Sequence, residues 1–164
     1  MDEISTMDQK VQISLLRVLE TQVIERLGSN RSIKVNVRTI AATNESPDDL
    51  IHKDQFREDL YYRLNVFTIE LPPLRERKTD IKYLAKYYCQ MFNLELAKQI
   101  ESIDPEAMNA LQNYTWPGNV RELRNIILRG VLTAKNDEPL RLSHLPKNIV
   151  KPGMGSINIT LKPG

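Results

Sequence analysis

The sequence predicts an α/β architecture: the closing part of a mostly parallel sheet domain, followed by a small all-helical domain. Three observations carry this. Between residues 23 and 42 the apolar pattern is that of strands, alternating at Ile33, Val35 and Val37 and then running unbroken through Ile40-Ala41-Ala42, as in a strand buried on both faces. From Arg75 onward apolar residues recur only at three- and four-residue steps, the helical spacing. Between the two regions Pro72-Pro73 ends the last strand, because proline has no N–H to give to a ladder.

Taken in order, Met1-Asp2-Glu3-Ile4 sets two carboxylates before any apolar run, which reads as the start of a piece cut from something longer. From Asp8 to Glu20, Val11, Leu15, Val18 and Leu19 form an amphipathic helix with Thr6 or Asp8 placed to cap it. Val23 to Leu27, the Gly28-Ser29-Asn30 turn cluster and Ile33 to Thr39 make a hairpin, whose second strand continues to Ala42. The polar pair Thr43-Asn44 follows. Pro47 to Lys53 and Phe56 to Leu64 read as short helices, and Val66 to Leu71 as a last strand.

In the second region Ile81, Leu84, Ala85, Tyr88, Met91 and Phe92 line one helix face, with Thr79 or Asp80 as cap. Asp104-Pro105-Glu106 starts another helix, proline at its first position, with Ala107, Ala110 and Leu111 on one side. A third begins near Asn119 and carries Leu123, Ile126, Ile127 and Gly130. After Pro139 the pattern is irregular, and Lys151 to Gly164 reads as linker or tail. The domain boundary falls near Pro72 to Arg77.

Composition narrows the function. The 164 residues hold 23 basic and 21 acidic side chains, a formal net charge of +2, which offers no broad basic footprint to a polyanion. At 41% hydrophobic and 27% charged the chain has the make-up of an ordinary globular protein. It has no run approaching ~18 apolar residues, and Asp2, Glu3 and Asp8 do not suit a signal peptide, so a cytoplasmic protein without membrane contact is expected. Cys89 is a lone cysteine, and with His52 and His144 it has no zinc-site spacing; all three read as structural.

Several short segments carry chemistry. An Asp-Glu pair ending a strand suits a nucleotide hydrolase, the Asp on the magnesium side and the Glu polarising water, although alone Asp2-Glu3 reads as a solvated terminus. Asn44 lies beyond the carboxyl end of a strand, where open α/β sheets bind ligands, and equally suits a turn. Arg57 and Arg63, projecting ~120° apart on a helix, suit transition-state charge on a γ-phosphate or local pairing with Glu58, Asp59 or Glu70. Arg121 falls in the first turn of a helix after Trp116-Pro117-Gly118, where its charge opposes the helix dipole, a local conflict of the kind found at sites. Trp116 reads as a core anchor, and Tyr61, Tyr62, Tyr83, Tyr87, Tyr88 and Phe92 as packing residues.

Together these pieces resemble, in order and spacing, the AAA+ central domain of bacterial enhancer-binding proteins, the ATPases that activate RNA polymerase carrying the sigma-54 factor. The resemblance rests on Met1-Asp2-Glu3-Ile4, Leu15 to Leu19, Ile40 to Asn44, Phe56 to Asn65, Leu71 to Arg77 and Trp116 to Leu123, and runs from residue 1 to about 150. It implies the C-terminal part of an AAA+ P-loop-type α/β domain over 1–74, a helical lid over 75–150 and a tail over 151–164. It further implies ATP and Mg2+ as cofactors, with Asp2 and Glu3 as the end of the Walker B strand and Asp2 holding magnesium indirectly. Thr43 and Asn44 match the sensor I position that reports on the γ-phosphate. Arg57 and Arg63 match the arginine fingers reaching a neighbouring subunit, and Arg121 the sensor II arginine of the lid. The implied partners are the sigma-54 polymerase and further copies in a ring.

Departures from the family pattern shape the expected activity. No glycine is followed by lysine, so these residues hold no G-x-x-x-x-G-K-[ST] phosphate loop. The sigma-contacting GAFTGA loop is absent as well, and nothing after Ile149 resembles a DNA-binding helix-turn-helix. The chain by itself is therefore expected neither to bind ATP tightly nor to hydrolyse it. Two other readings are a non-catalytic module that docks on AAA+ subunits through its finger helix, and a helical nucleic-acid binder using Arg121, Arg124 and Arg129; the small net charge speaks against the second.

Overall fold

A computed structural model describes residues 1–26, 28, 31–52 and 56–150. The expected turn residues Ser29 and Asn30, the strand end at Leu27, the helix end at Lys53 and the tail from Lys151 to Gly164 lie outside these. The chain divides into two compact units, Met1–Glu70 and Leu71–Gly164.

In the first unit a 3₁₀ turn, Ile4–Thr6, leads to α1 (Gln9–Thr21), β1 (Val23–Glu25), β2 (Ser32–Lys34), α2 (Pro47–His52) and α3 (Glu58–Leu64). Asp8 caps α1 by accepting the Val11 N–H at 2.8 Å. The hairpin is antiparallel with Ile24 opposite Ile33, and the Val35 N–H extends it to the Gln22 carbonyl at 2.7 Å. Ile4, Leu50, Phe56 and Leu60 form a small core that Leu15, Leu16 and Leu19 flank.

The expected face of α1 is rotated. Val11 is 48% exposed, and the inward position belongs to Gln12, which is fully buried. Its Nε2 donates to the Met7 carbonyl and its Oε1 accepts the Arg57 N–H, both at 2.8 Å, so one amide joins the start of α1 to the start of α3. The Arg57 N–H, at the head of α3, has no acceptor within its own helix, and Gln12 supplies one.

Two expected strands are not built as predicted. Ile40-Ala41-Ala42 is extended, yet Ile40 is 69% exposed instead of buried on both faces. Among the described residues it pairs only with the chain start: Met1 N to Ile40 O at 2.7 Å, Ala42 N to Met1 O at 2.9 Å, and Ile4 N to Ala42 O at 3.1 Å. The first two bonds have the alternating pattern of a parallel pair. Val66 to Leu71 is extended without a ladder, and Val66, Phe67 and Leu71 are each at least 80% exposed. A strand needs a neighbour's backbone groups, and no described residue offers them to this segment, so the named sheet is only the β1-β2 pair. The order of an α/β part and then a helical part is as expected.

The second unit holds a 3₁₀ turn, Leu74–Glu76, then α4 (Lys78–Glu95), α5 (Pro105–Asn113), α6 (Asn119–Thr133), a 3₁₀ turn, Leu142–His144, and α7 (Lys147–Val150). α4 begins one residue before Thr79 and has no side-chain cap; Asp80 instead lies inside its first turn, where it complements the dipole. Asp104 caps α5 through the Glu106 N–H at 2.9 Å. Ile81, Ala85, Cys89 and Phe92 of α4 meet Leu123, Ile127 and Val131 of α6 in a continuous core. Trp116 is its anchor, fully buried and donating through Nε1 to the Leu111 carbonyl at 2.8 Å. Gly130 permits this packing, since a Cβ there would stand 2.8 Å from Leu140 Cδ1.

The stretch after Pro139, irregular in sequence, is part of that core. Leu140, Leu145 and Ile149 are buried, and Leu140 bridges Ile103 in parallel. The aromatic expectation divides: Tyr88 and Phe92 pack, whereas Tyr62, Tyr83 and Tyr87 are exposed. Cys89 is inside, and burial raises its thiol pKa. His144 is structural, its Nδ1 accepting the Arg141 N–H at 3.1 Å.

Candidate nucleotide-handling residues

Asp2 and Glu3 end the short segment bonded in parallel beside Ile40-Ala41-Ala42, and Thr43 and Asn44 end the other member of that pair. The four residues therefore leave two neighbouring extended segments at the same end, the end where open α/β sheets bind ligands. Glu3 is left-handed, with φ 50 and ψ 53, as the chain turns into the 3₁₀ turn. Its carbonyl accepts the Thr6 hydroxyl at 2.8 Å and its N–H meets Asp2 Oδ1 at 3.1 Å. Thr43 Oγ1 accepts the Glu45 N–H at 3.1 Å, an ST-turn that fixes its hydroxyl. Asp2, Glu3, Thr43 and Asn44 are all exposed.

Arg57 and Arg63 are both on the α3 segment and exposed, but their surroundings differ. Arg57 makes a two-pronged pair with Asp59, Nη2 to Oδ2 at 2.6 Å and Nε to Oδ1 at 3.0 Å. The hydrogen bond to Asp59 raises the Arg57 pKa and lowers that of Asp59 below its ordinary value. Of the local partners open in the sequence, Asp59 is the one used. Among the described residues Arg63 has one hydrogen bond, its Nη2 donating to the Leu19 carbonyl at a long 3.5 Å.

Arg121 occupies the first turn of α6 after a sharp elbow, with Trp116 at φ 52 and Asn119 at φ 50. Glu122 braces the elbow: its Oε2 accepts the Gly118 N–H at 2.9 Å and its Oε1 meets the Tyr114 hydroxyl at 3.2 Å. Arg121 and Arg129 line an open groove of about 560 Å³ with Asn125, Pro146 and Asn148.

The residues fit part of a magnesium nucleotide site. Magnesium takes one or two carboxylates and completes its shell with water and phosphates, and Asp2 is an exposed carboxylate of that kind. Among the described residues no group of three or more His, Cys, Asp or Glu side chains converges to form a protein-only cage. Sequence reasoning missed Gln12, although Gln12, Leu15, Leu16 and Leu19 follow the i, i+3, i+4, i+7 spacing of a buried face.

Residues 1–70 match the family model of the sigma-54 interaction domain, and residues 75–156 match that of the AAA+ ATPase lid domain. The chain belongs to the AAA+ family of sigma-54-dependent transcriptional activators. It is 43% identical over 149 residues to nitrogen fixation protein AnfA of Azotobacter vinelandii, an alignment covering 91% of this chain and 28% of that protein. It is 50% identical over 137 residues to the formate hydrogenlyase transcriptional activator FhlA of Escherichia coli K12, covering 84% and 20%. The crystal structure of NtrX from Brucella abortus in complex with ADP superimposes with a TM-score of 0.82 at 34% identity, over 92% of this chain and 35% of that one. The chain thus spans between 20% and 35% of the length of these relatives. No helix among the described residues is long and apolar enough to cross a membrane.

Proposed function

We propose that this chain supplies the sensing, finger and lid parts of an ATPase that remodels the closed complex of sigma-54 RNA polymerase. In this reading 1–74 is the later part of the AAA+ α/β subdomain and 75–150 the lid. The observation that supports it best is the parallel backbone pairing of Met1 with Ile40 and Ala42, which sets Asp2-Glu3 beside Thr43-Asn44. A carboxylate pair and a polar sensor at one end of adjacent parallel segments are what hydrolysis of a phosphoanhydride needs. The magnesium nucleotide, when bound, supplies an electrophilic γ-phosphorus. Asp2 orients the metal's water shell, Glu3 polarises the attacking water, and Asn44 reads the γ-phosphate. Arg57 and Arg63 serve the site of a neighbouring subunit, for which Arg57 must first leave Asp59. Arg121 answers to the nucleotide of its own subunit.

A phosphate-wrapping loop is supplied by residues other than these 164, so the chain alone has neither tight ATP affinity nor turnover. Titration with a fluorescent ATP analogue and magnesium, with phosphate release followed in the same sample, is expected to show neither. Saturable binding with turnover that Glu3→Gln abolishes would overturn this account of the chain.

A second reading is favoured by the exposure of Arg57, Tyr62 and Arg63 along α3: the chain docks on AAA+ subunits and modulates their ring. Added to an intact relative that hydrolyses ATP, it would then change the ATPase rate, and the Arg57→Ala/Arg63→Ala variant would not. An unchanged rate with the unmodified chain rejects this reading.

A further inference from the structure

The face of α4 turned away from the core has an unusual composition. At ~100° per residue, Lys82 and Lys86 lie along one margin and Tyr83, Tyr87 and Leu94 along the other, within an arc of ~140°. Tyr83 is 73% exposed, Tyr87 59% and Leu94 86%. Large apolar groups at this exposure on one strip mark interaction surfaces, and tyrosine is among the residues that anchor them. No carboxylate shares the arc; Asp80 and Glu95 fall beyond its edge. Neither lysine has an ion-pair partner among the described residues, and neither tyrosine hydroxyl has a hydrogen bond there.

The strip is also stiffened from beneath. The Tyr87 ring stands edge-on to Tyr88 at 5.4 Å, and Tyr88 stacks at 6.4 Å on Phe92, which is buried. An anchor held in place before contact loses little freedom on binding.

We propose that this face docks an acidic amphipathic helix of a protein partner, about three turns long, the ~18 Å from Lys82 to Leu94. Its carboxylates would face Lys82 and Lys86, and its aliphatic side would cover Tyr83, Tyr87 and Leu94. Charge complementarity decides the occupant. A second copy meeting the same face antiparallel would set lysine row against lysine row, which like-charge repulsion disfavours, and one meeting it parallel would leave every lysine without a counter-charge. Nucleic acid would use the lysines and tyrosines but leave Leu94 without a role.

Selection from a phage-displayed library of helical peptides, ~16 residues long, on the full chain tests this. Recovered peptides should carry Asp or Glu along one edge and Leu, Ile or Phe along the other. The best of them, followed by fluorescence anisotropy, should bind about tenfold more weakly to Lys82→Glu/Lys86→Glu and should weaken with added salt. Tyr83→Ala/Tyr87→Ala should abolish detectable binding. All four positions are solvent-facing, and unchanged Trp116 fluorescence verifies the fold of each variant. Recovery of no peptide, of neutral or basic peptides only, or of peptides that bind both variants unchanged would overturn the proposal. So would a fluorescein-labelled DNA strand of ~20 nucleotides that binds through these same residues, which would make the face a nucleic-acid surface.

Discussion

In the second unit Trp116, Phe92, Leu123 and Ile127 are wholly buried and four helices meet around them, whereas in the first unit the place between α1 and α3 is taken by a glutamine. The second unit closes on apolar area, which is non-directional and tolerant of small shifts. The first has a smaller apolar core, Ile4, Leu50, Phe56 and Leu60, and adds directed bonds to it: the Gln12 amide, the Asp8 cap and the pairing of Met1 with Ile40 and Ala42. It also leaves Val37, Ile40, Val66, Phe67 and Ile69 facing solvent. Of the two, the second unit encloses a large apolar core, whereas the first leaves apolar residues of its extended segments uncovered.

Four experiments break or sharpen this contrast. Trp116→Ala should cost the second unit about 3–5 kcal/mol, because it empties a large core site and strands the Leu111 carbonyl. Urea denaturation followed by helical circular dichroism measures the loss; amide exchange in α1 and α3 should stay unchanged, and its collapse would show the units to be one cooperative body. Gln12→Ala should cost the first unit about 1–3 kcal/mol by orphaning the Met7 carbonyl and the Arg57 N–H, read as faster exchange at Arg57. Asp8→Ala removes only a cap, about 1 kcal/mol, and should fray α1 alone.

The smallest effect is that of Asp59. Its folded pKa is lowered, chiefly by the hydrogen bond from Arg57, so its contribution is present above the ordinary value of 3.8 and is lost as pH falls through the folded value. An NMR titration should show the Arg57 Nε signal moving only in that acidic window, and Asp59→Asn should remove the transition. Both groups are exposed, so global stability should barely change.

How much of this was legible in the sequence follows the same division. The helices of the second unit were readable because each carries its own periodicity and punctuation: Asp104-Pro105 opens α5, and Trp116-Pro117-Gly118 turns the chain into α6. Leu140, Leu145 and Ile149 were not, since a segment packed by single residues on short turns leaves no period to detect. The strands at Ile40 to Ala42 and Val66 to Leu71 were over-read, because apolar alternation reports a capacity for pairing and a strand exists only where a neighbour supplies it. The candidate site was legible as motifs. Its geometry was not: that Arg57 is held by Asp59, and that Asp2-Glu3 runs beside Thr43-Asn44, depends on contacts made after folding.

The Leu74 N–H donates to Asn119 Oδ1 at 2.9 Å, which fastens the chain's point of entry into the second unit to the residue two before Arg121. Immediately upstream, Pro72 and Pro73 form a stiff rod. Together they restrict the backbone where it meets the first turn of α6, the turn that carries Arg121.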